Sequence, residues 1–366
     1  MNSNLQTTLM LLCALFSVAS CRSIWTGSGE QGETLLQRRE NSVPDQAGHR
    51  SDHLLPRMNG VNMAGLEFGI GSNGDRNGNP PQAPPLDQIP HFIKGGSNVI
   101  RFPFGWQYMQ DTIKGDLNKT YLSLLDEYVT ATTQLNATAI IEVHNFARRD
   151  GQIIGESSVG ADALVDLWTR LAKHYNDQPN VMFGLMNEPH DVTSKIWIGV
   201  VQQVVTGIRK AGAENNILLP GNAWEHLLTF ADDYNNGLSA IKNPDGSVRG
   251  LIFEIHQYFD YNGVGDQKEC TQDHLSELQS VVDLLKKDGR QVLITELGGG
   301  NSQSCSDIIH KFVAAAASAY PTVIGTLMWG AGSFAPDYTL VVTVKEGNGW
   351  KDQMNFASLK TALAAV

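Results

Sequence analysis

Two acids close apolar runs in this chain, and each position is costly unless the acid is used. Val181-Met182-Phe183-Gly184-Leu185-Met186 has the length and composition of a strand buried on both faces. It ends on Asn187 and Glu188, and Pro189 then stops further pairing. Leu293-Ile294-Thr295 runs in the same way into Glu296. A buried carboxyl group costs several kcal/mol unless it is paired or protonated, so such groups collect where a shifted proton affinity is used. Alone, Glu188 reads as the first polar residue of a loop; a second acid at a second strand end changes that reading. Two carboxyl groups without a cofactor motif meet the needs of glycoside hydrolysis. One must hold a proton for the leaving oxygen, and the other must stay ionised to attack the anomeric carbon. Glu188, beside the amide of Asn187, suits the acid/base. Glu296 suits the nucleophile, with Arg101 and Tyr258 as its donors.

The same strand-end rule adds further groups. Arg101 follows Asn98-Val99-Ile100, His144 and Asn145 follow Ile140-Ile141-Glu142-Val143, His256 and Tyr258 lie in Phe253-Glu254-Ile255-His256-Gln257-Tyr258, and Trp329 closes Gly325-Thr326-Leu327-Met328. Asn187 is placed to bond a sugar 2-hydroxyl, and Trp329 offers a flat apolar face to a sugar ring. His144 and His256 read as groups that hold others in place, and Arg101 reads either as a partner of Glu296 or as a barrel-end ion pair. Trp106 and Trp224 read either as packing or as sugar platforms. Glu67, Glu142 and Glu254 are also acids in strand-like runs. By alternation Glu142 and Glu254 share a face with His144 and His256, one step deeper. No His-x-His or His-x-x-x-His pair supports a metal hydrolase, so neither metal nor cofactor is expected.

These groups need elements that bring them to one place. Strands are expected at 59–68, 98–104, 137–144, 181–186, 216–220, 251–259, 291–296 and 324–329. Helices are expected at 86–95, 120–135, 161–175, 194–211, 274–287, 307–320 and 356–365. Eight strands, nearly all separated by helices, predict a single (β/α)8 TIM barrel over residues 58–366, whose strand carboxyl ends share one mouth. An open doubly wound sheet is the alternative, but no glycine-rich phosphate loop follows the first strand.

The 366 residues carry 27 Lys and Arg against 38 Asp and Glu, a formal charge of −11. That balance argues against nucleic acid or an anionic membrane as partner and suits an uncharged substrate. Leu9–Ala19 is an apolar stretch of secretory size, so residues 1–21 are expected to be a signal peptide and the chain to be secreted and extracellular. Val18-Ala19-Ser20-Cys21 also admits a lipid-attachment reading. Residues 22–57, polar and without hydrophobic period, read as a pro-region or tether. Removal of the leader leaves Cys270 and Cys305, an even pair that reads as one disulfide. Asn118-Lys119-Thr120 and Asn136-Ala137-Thr138 are N-glycosylation acceptors in a eukaryotic host.

The motifs taken together resemble glycoside hydrolase family 5 in its fungal-type endo-β-1,4-glucanase branch, subfamily 5. Those that carry the resemblance, in order, are Asn98–Pro103, Glu142–Arg148, Gly184–Asp191, Leu219–Trp224, Ile255–Tyr258, Thr295–Gly300 and Trp329–Phe334. The resemblance covers about residues 58–350 and implies a (β/α)8 barrel that hydrolyses internal β-1,4-glucosidic bonds with retention. It implies Glu188 as acid/base, Glu296 as nucleophile, and Arg101, His144, Asn187, His256, Tyr258 and Trp329 at supporting positions. It also implies the Cys270–Cys305 disulfide and no metal or cofactor. A monomer acting on β-1,4-glucan is expected; a mannanase, a mixed-linkage glucanase or a glucan-binding barrel without activity are the alternatives. One departure stands out. Relatives commonly place an aromatic residue after the His-Asn-aromatic-small-Arg run, where this chain has Arg149 and Asp150. A sugar platform is therefore expected to be absent or replaced by polar contacts.

Overall fold

The computed structural model describes residues 54–364. The expected leader and all but the last four residues of the expected tether lie outside them. Eight strands form the barrel: β1 (Met58–Ala64), β2 (Val99–Phe104), β3 (Thr138–Val143), β4 (Val181–Gly184), β5 (Ile217–Leu219), β6 (Leu251–Tyr258), β7 (Val292–Gly298) and β8 (Val323–Gly332). Each pairs in parallel with its neighbours in chain order, and β1 closes the ring by pairing with β8 and β2. Around it lie α1 (Gln88–Lys94), α2 (Lys119–Thr133), α3 (Ala161–Tyr175), α4 (Ser194–Lys210), α5 (Phe230–Asn235), α6 (Leu275–Asp288), α7 (Gln303–Ser318) and α8 (Met354–Ala364). The expected TIM barrel is what the chain forms.

Several elements differ from expectation for local reasons. Strand β1 stops at Ala64 because Gly65 turns the chain at φ 144° and its N–H bonds back to Glu67 Oε2 at 2.7 Å. Strand β4 stops at Gly184, so Asn187 and Glu188 stand beyond its last paired residue. Helix α5 and the hairpin Arg148–Arg149 with Gln152–Ile153 were not expected, being shorter than any hydrophobic period can reveal.

Inside the barrel, side chains lie in layers. Met58, Val99, Ile140, Met182, Leu218, Ile252, Leu293, Ile324 and Leu327 form an apolar plug at the amino-terminal end, with every strand contributing. Leu55 packs on this plug, Tyr320 donates to the Leu55 carbonyl at 2.9 Å, and Asn98 donates to that of Arg57 at 2.7 Å. Two residues further along their strands come Arg101, Glu142 and Glu254, all buried. Gly184 makes room for this charged layer: a Cβ there would meet Glu142 Cβ at 2.9 Å. Outward-facing Val, Ile and Phe side chains pack under the helices as one continuous apolar shell.

Candidate active site

Strict alternation from Leu293, which belongs to the plug, would turn Glu296 to the outer face of β7. A β-bulge prevents this. Pairing with β6 steps from Ile255–Ile294 to His256–Glu296, which leaves Thr295 as the extra residue. Thr295 and Glu296 therefore both face inward. Asn62 on β1 donates to the Thr295 carbonyl at 2.8 Å and helps hold the bulge.

Glu296 is gripped at both oxygens. Arg101 Nη1 donates to Oε1 at 2.6 Å, and Tyr258 Oη donates to Oε2 at 2.6 Å. Arg101 is wholly buried and also donates to Asn62 Oδ1 and Asn187 Oδ1, both at 2.9 Å, with Glu142 and Glu254 at 3.4 and 3.5 Å. Because Asn187 accepts through Oδ1, its amide nitrogen is left for another partner. Burial alone pushes the Glu296 carboxyl up; His256, Arg101, His144 and the Tyr258 hydrogen bond outweigh it and hold the group below the usual carboxylate range. The same neighbourhood acts in reverse on the tyrosine, whose proton burial and Glu296 hold well above its ordinary affinity. Tyr258 therefore stays a donor.

Glu188 is held differently. Its side chain is 17% exposed, and Oε1 accepts from or donates to His256 Nδ1 at 2.9 Å. Its backbone sits at φ 42°, a left-handed conformation, just after Asn187, whose N–H bonds the Val143 carbonyl at 2.8 Å. One oxygen each of Glu188 and Glu296 and one nitrogen of His256 lie within 4.8 Å of each other. Burial opposes charge on His256, but Glu296, Glu225, Glu188 and Glu254 win and raise its proton affinity well above that of a free imidazole. His144 is raised in the same way, mainly by Glu142, whose Oε2 lies 3.1 Å from Nδ1.

Aromatic faces complete the mouth. Trp329 lies nearly parallel to His144, with ring centres 5.7 Å apart, and its indole N–H donates to Tyr338 Oη at 3.0 Å. Trp224 stacks on His190 at 3.8 Å and keeps 36% of its surface exposed at the rim. Trp106 is fully buried, donating to Gln110 Oε1, so of the two indoles left open by the sequence only Trp224 faces outward. At Arg149 the first of the two expected alternatives, an absent platform, fits the geometry better than polar contacts. Arg149 makes no polar contact in the mouth, because it turns inward over the Trp106 ring and donates to the carbonyls of Gln110 and Asp111 at 2.8 Å. The expected disulfide is present between Cys270 and Cys305. Asn136 is exposed, and Asn118 uses Oδ1 to cap α2.

One acid escaped the sequence reading, and the surroundings of a second were not foreseen. Glu225, in the loop after β5, is buried under Glu188 and accepts the Glu188 N–H at Oε2, 3.2 Å away. Glu67 was weighed only as a possible decoy; its carboxyl is buried beside His144 and pushed up to about 7, chiefly by burial. Among the described residues, two groups bring donor atoms close enough to surround one ion: Glu188, His256 and Glu296, and Glu225, Glu254 and His256.

Comparison with known proteins agrees with this geometry. The family model described as cellulase (glycosyl hydrolase family 5) matches residues 59–333. A manganese-dependent endoglucanase of Phanerodontia chrysosporium is 39% identical over 293 residues, 79% of this chain and 76% of that protein. The crystal structure of Cel5A (EG2) from Hypocrea jecorina superposes with a TM-score of 0.80 at 36% identity, covering 83% of this chain and 98% of that one. That of XacCel5A in complex with cellopentaose gives 0.76 at 30% identity, covering 83% and 99%. With a charged layer above an apolar plug, two acids at the mouth and a family model spanning both, this chain belongs to glycosyl hydrolase family 5, the cellulase family.

Proposed function

We propose that the chain is a secreted endo-β-1,4-glucanase that cuts internal bonds of cellulose and related β-glucans with retention. Glu188 is the acid/base and Glu296 the nucleophile. The observation that carries this reading is the close approach of the two carboxyl groups, within 4.8 Å between oxygens, with only Glu296 clamped by two donors. Retaining enzymes hold the two groups about 5–5.5 Å apart, and inverting enzymes about 6.5–9.5 Å. In the first step a Glu296 oxygen bonds the anomeric carbon, the glycosidic C–O bond breaks, and the Glu188 proton passes to the leaving oxygen. In the second, water attacks that carbon, gives its proton to Glu188 and releases Glu296.

Arg101 and Tyr258 keep the nucleophile charged, and the free amide of Asn187 meets the sugar 2-hydroxyl. Trp329 and Trp224 present the flat faces on which rings rest, with His144 backing the first. The cellopentaose bound by XacCel5A supports a glucan chain as substrate. The Phanerodontia relative is described as manganese-dependent. In this chain both candidate donor groups share His256, and Arg101 already stands 3.5 Å from Glu254, so we read these donors as paired with protein cations. The apolar stretch at 9–19 and the disulfide support export, with residues 1–21 as leader, 22–57 as tether and Asn118 and Asn136 as sugar acceptors; the mature protein is read as a monomer.

Glu188→Gln and Glu296→Gln should each lower release of reducing ends from carboxymethylcellulose by roughly 10^3-fold or more while leaving circular dichroism unchanged. Normal turnover in either variant would sink the assignment. Running the wild type on cellulose, mannan and mixed-linkage glucan fixes the substrate.

A further inference from the structure

Large apolar side chains that stay exposed are scattered singly over most of this molecule, but not at the mouth. Of the eleven among the described residues, Trp224, Leu228, Tyr261 and Val264 lie on two adjoining loops, those after β5 and β6. Leu228, Tyr261 and Val264 are also the three most exposed of all, at 69%, 72% and 58%. The two loops touch: a Cβ on Gly263 would stand 3.4 Å from His226 Cε1. Both are held from beneath. In the first, Ala223, Trp224 and Glu225 are consecutive left-handed residues at φ 47°, 64° and 57°. The Trp224 N–H bonds the Pro189 carbonyl at 3.0 Å, which ties this turn to the residue after Glu188. In the second, the buried Asp260 carboxylate accepts the N–H groups of Gly265, Asp266 and Gln267 at 3.0, 2.9 and 3.1 Å. Gly265 lies so close to Tyr258 that a Cβ there would meet the ring at 2.8 Å. Gln272 Nε2 donates to the Tyr261 carbonyl at 3.3 Å.

A cluster of exposed apolar groups on a fixed base marks a surface that something covers. Its place in the mouth says what. Glu296 and Trp329 hold the sugar whose anomeric carbon reacts, whereas the leaving oxygen takes its proton from Glu188. The departing part of the chain therefore runs out over the loops joined to Glu188. A β-linked glucose ring carries its C–H bonds on flat, uncharged faces, which suit an aromatic ring. We propose that Tyr261 is a specificity-determining residue: on the rim it shares with Leu228 and Val264, its ring is the shelf for the second glucose unit on the leaving side, one unit beyond Trp224. The shelf rests on the reading of the chain as an endo-β-1,4-glucanase with Glu188 as acid/base, and extends that reading from the bond cut to the length of glucan that follows it. Chains with two units beyond the cut are favoured, so the reducing end leaves as cellobiose rather than glucose.

The test uses purified full-length protein with cellohexaose, with cellopentaose carrying 18O at its reducing end, and with 2,4-dinitrophenyl cellobioside, whose leaving group is a single ring. Tyr261→Ala should lower kcat/KM on cellohexaose about tenfold and leave that on the aryl substrate within about twofold of wild type. It should also shift the labelled product of cellopentaose from cellobiose towards glucose. Tyr261→Phe should stay within about twofold on both substrates, because the ring face and not the hydroxyl makes the contact. Unchanged kcat/KM on cellohexaose in Tyr261→Ala, or equal losses on both substrates, would overturn the shelf while leaving Glu188 as acid/base; full activity in Glu188→Gln would remove both. With cellohexaose unchanged, loss of binding to microcrystalline cellulose would give the patch to an insoluble surface. A wild-type dimer that Tyr261→Ala turns into a monomer would, in the same case, give it to a second copy of the chain.

Discussion

At the residue scale the two acids are told apart by their partners. Glu296 has a buried guanidinium and a phenol donating to it, and so its carboxylate persists below the usual range. On the proposed mechanism its depressed proton affinity sets the acid limb of activity: turnover needs the ionised form and falls only as pH drops through that lowered value. Tyr258→Phe removes one donor and should raise the Glu296 affinity, moving the acid limb of kcat/KM to higher pH by about half to one unit. An acid limb unmoved in Tyr258→Phe would show that His256, Arg101 and His144 hold the charge without the phenol. Most of these residues were legible because each is a polar or aromatic group that follows an apolar run in the sequence, as Arg101, Glu188 and Trp329 do. Glu225 was not, since its loop has no hydrophobic period and its inward turn uses Ala, Trp and Glu in a conformation that sequence reading expects of glycine.

At the scale of elements, the barrel is read from its eight apolar runs, but two features that aim the site are not. Nothing in Leu293-Ile294-Thr295-Glu296 announces a bulge, and strict alternation would have turned Glu296 outward. The stopping point of β4 is equally silent, because Leu185 and Met186 are as apolar as the paired residues before them. Closure of the ring depends on close backbone approach. A Cβ at Gly325 on β8 would stand 1.5 Å from the Met58 carbonyl oxygen on β1. Gly325→Ala must therefore push β1 and β8 apart, and a loss of at least about 3 kcal/mol in urea unfolding is expected, in the range of severe core disruptions. A change under about 1 kcal/mol would mean that the seam yields more readily than the packing implies.

At the scale of the molecule, the reactive mouth is braced from outside as well as below. The Cys270–Cys305 disulfide joins the loop after β6 to the first turn of α7 across 35 residues of chain. It lies against Gly299, three residues past Glu296, where a Cβ would meet Cys270 Sγ at 2.4 Å. Replacing both cysteines by serine should cost roughly 2–4 kcal/mol of stability, measured by urea unfolding. Equal unfolding midpoints with and without the bond would contradict this.

The left-handed backbone of Glu188 carries a consequence for how such a chain changes over generations. A glutamate at φ 42° is strained, whereas glycine is at ease there. Glu188→Gly should unfold at a higher temperature than Glu188→Ala, by about 1 kcal/mol in stability, reversing the usual order of those two residues. A lineage released from the demand to cut glucan would thus grow sturdier by discarding the acid at 188. Decay into a silent barrel runs downhill, and only continued selection for turnover keeps an acid at 188.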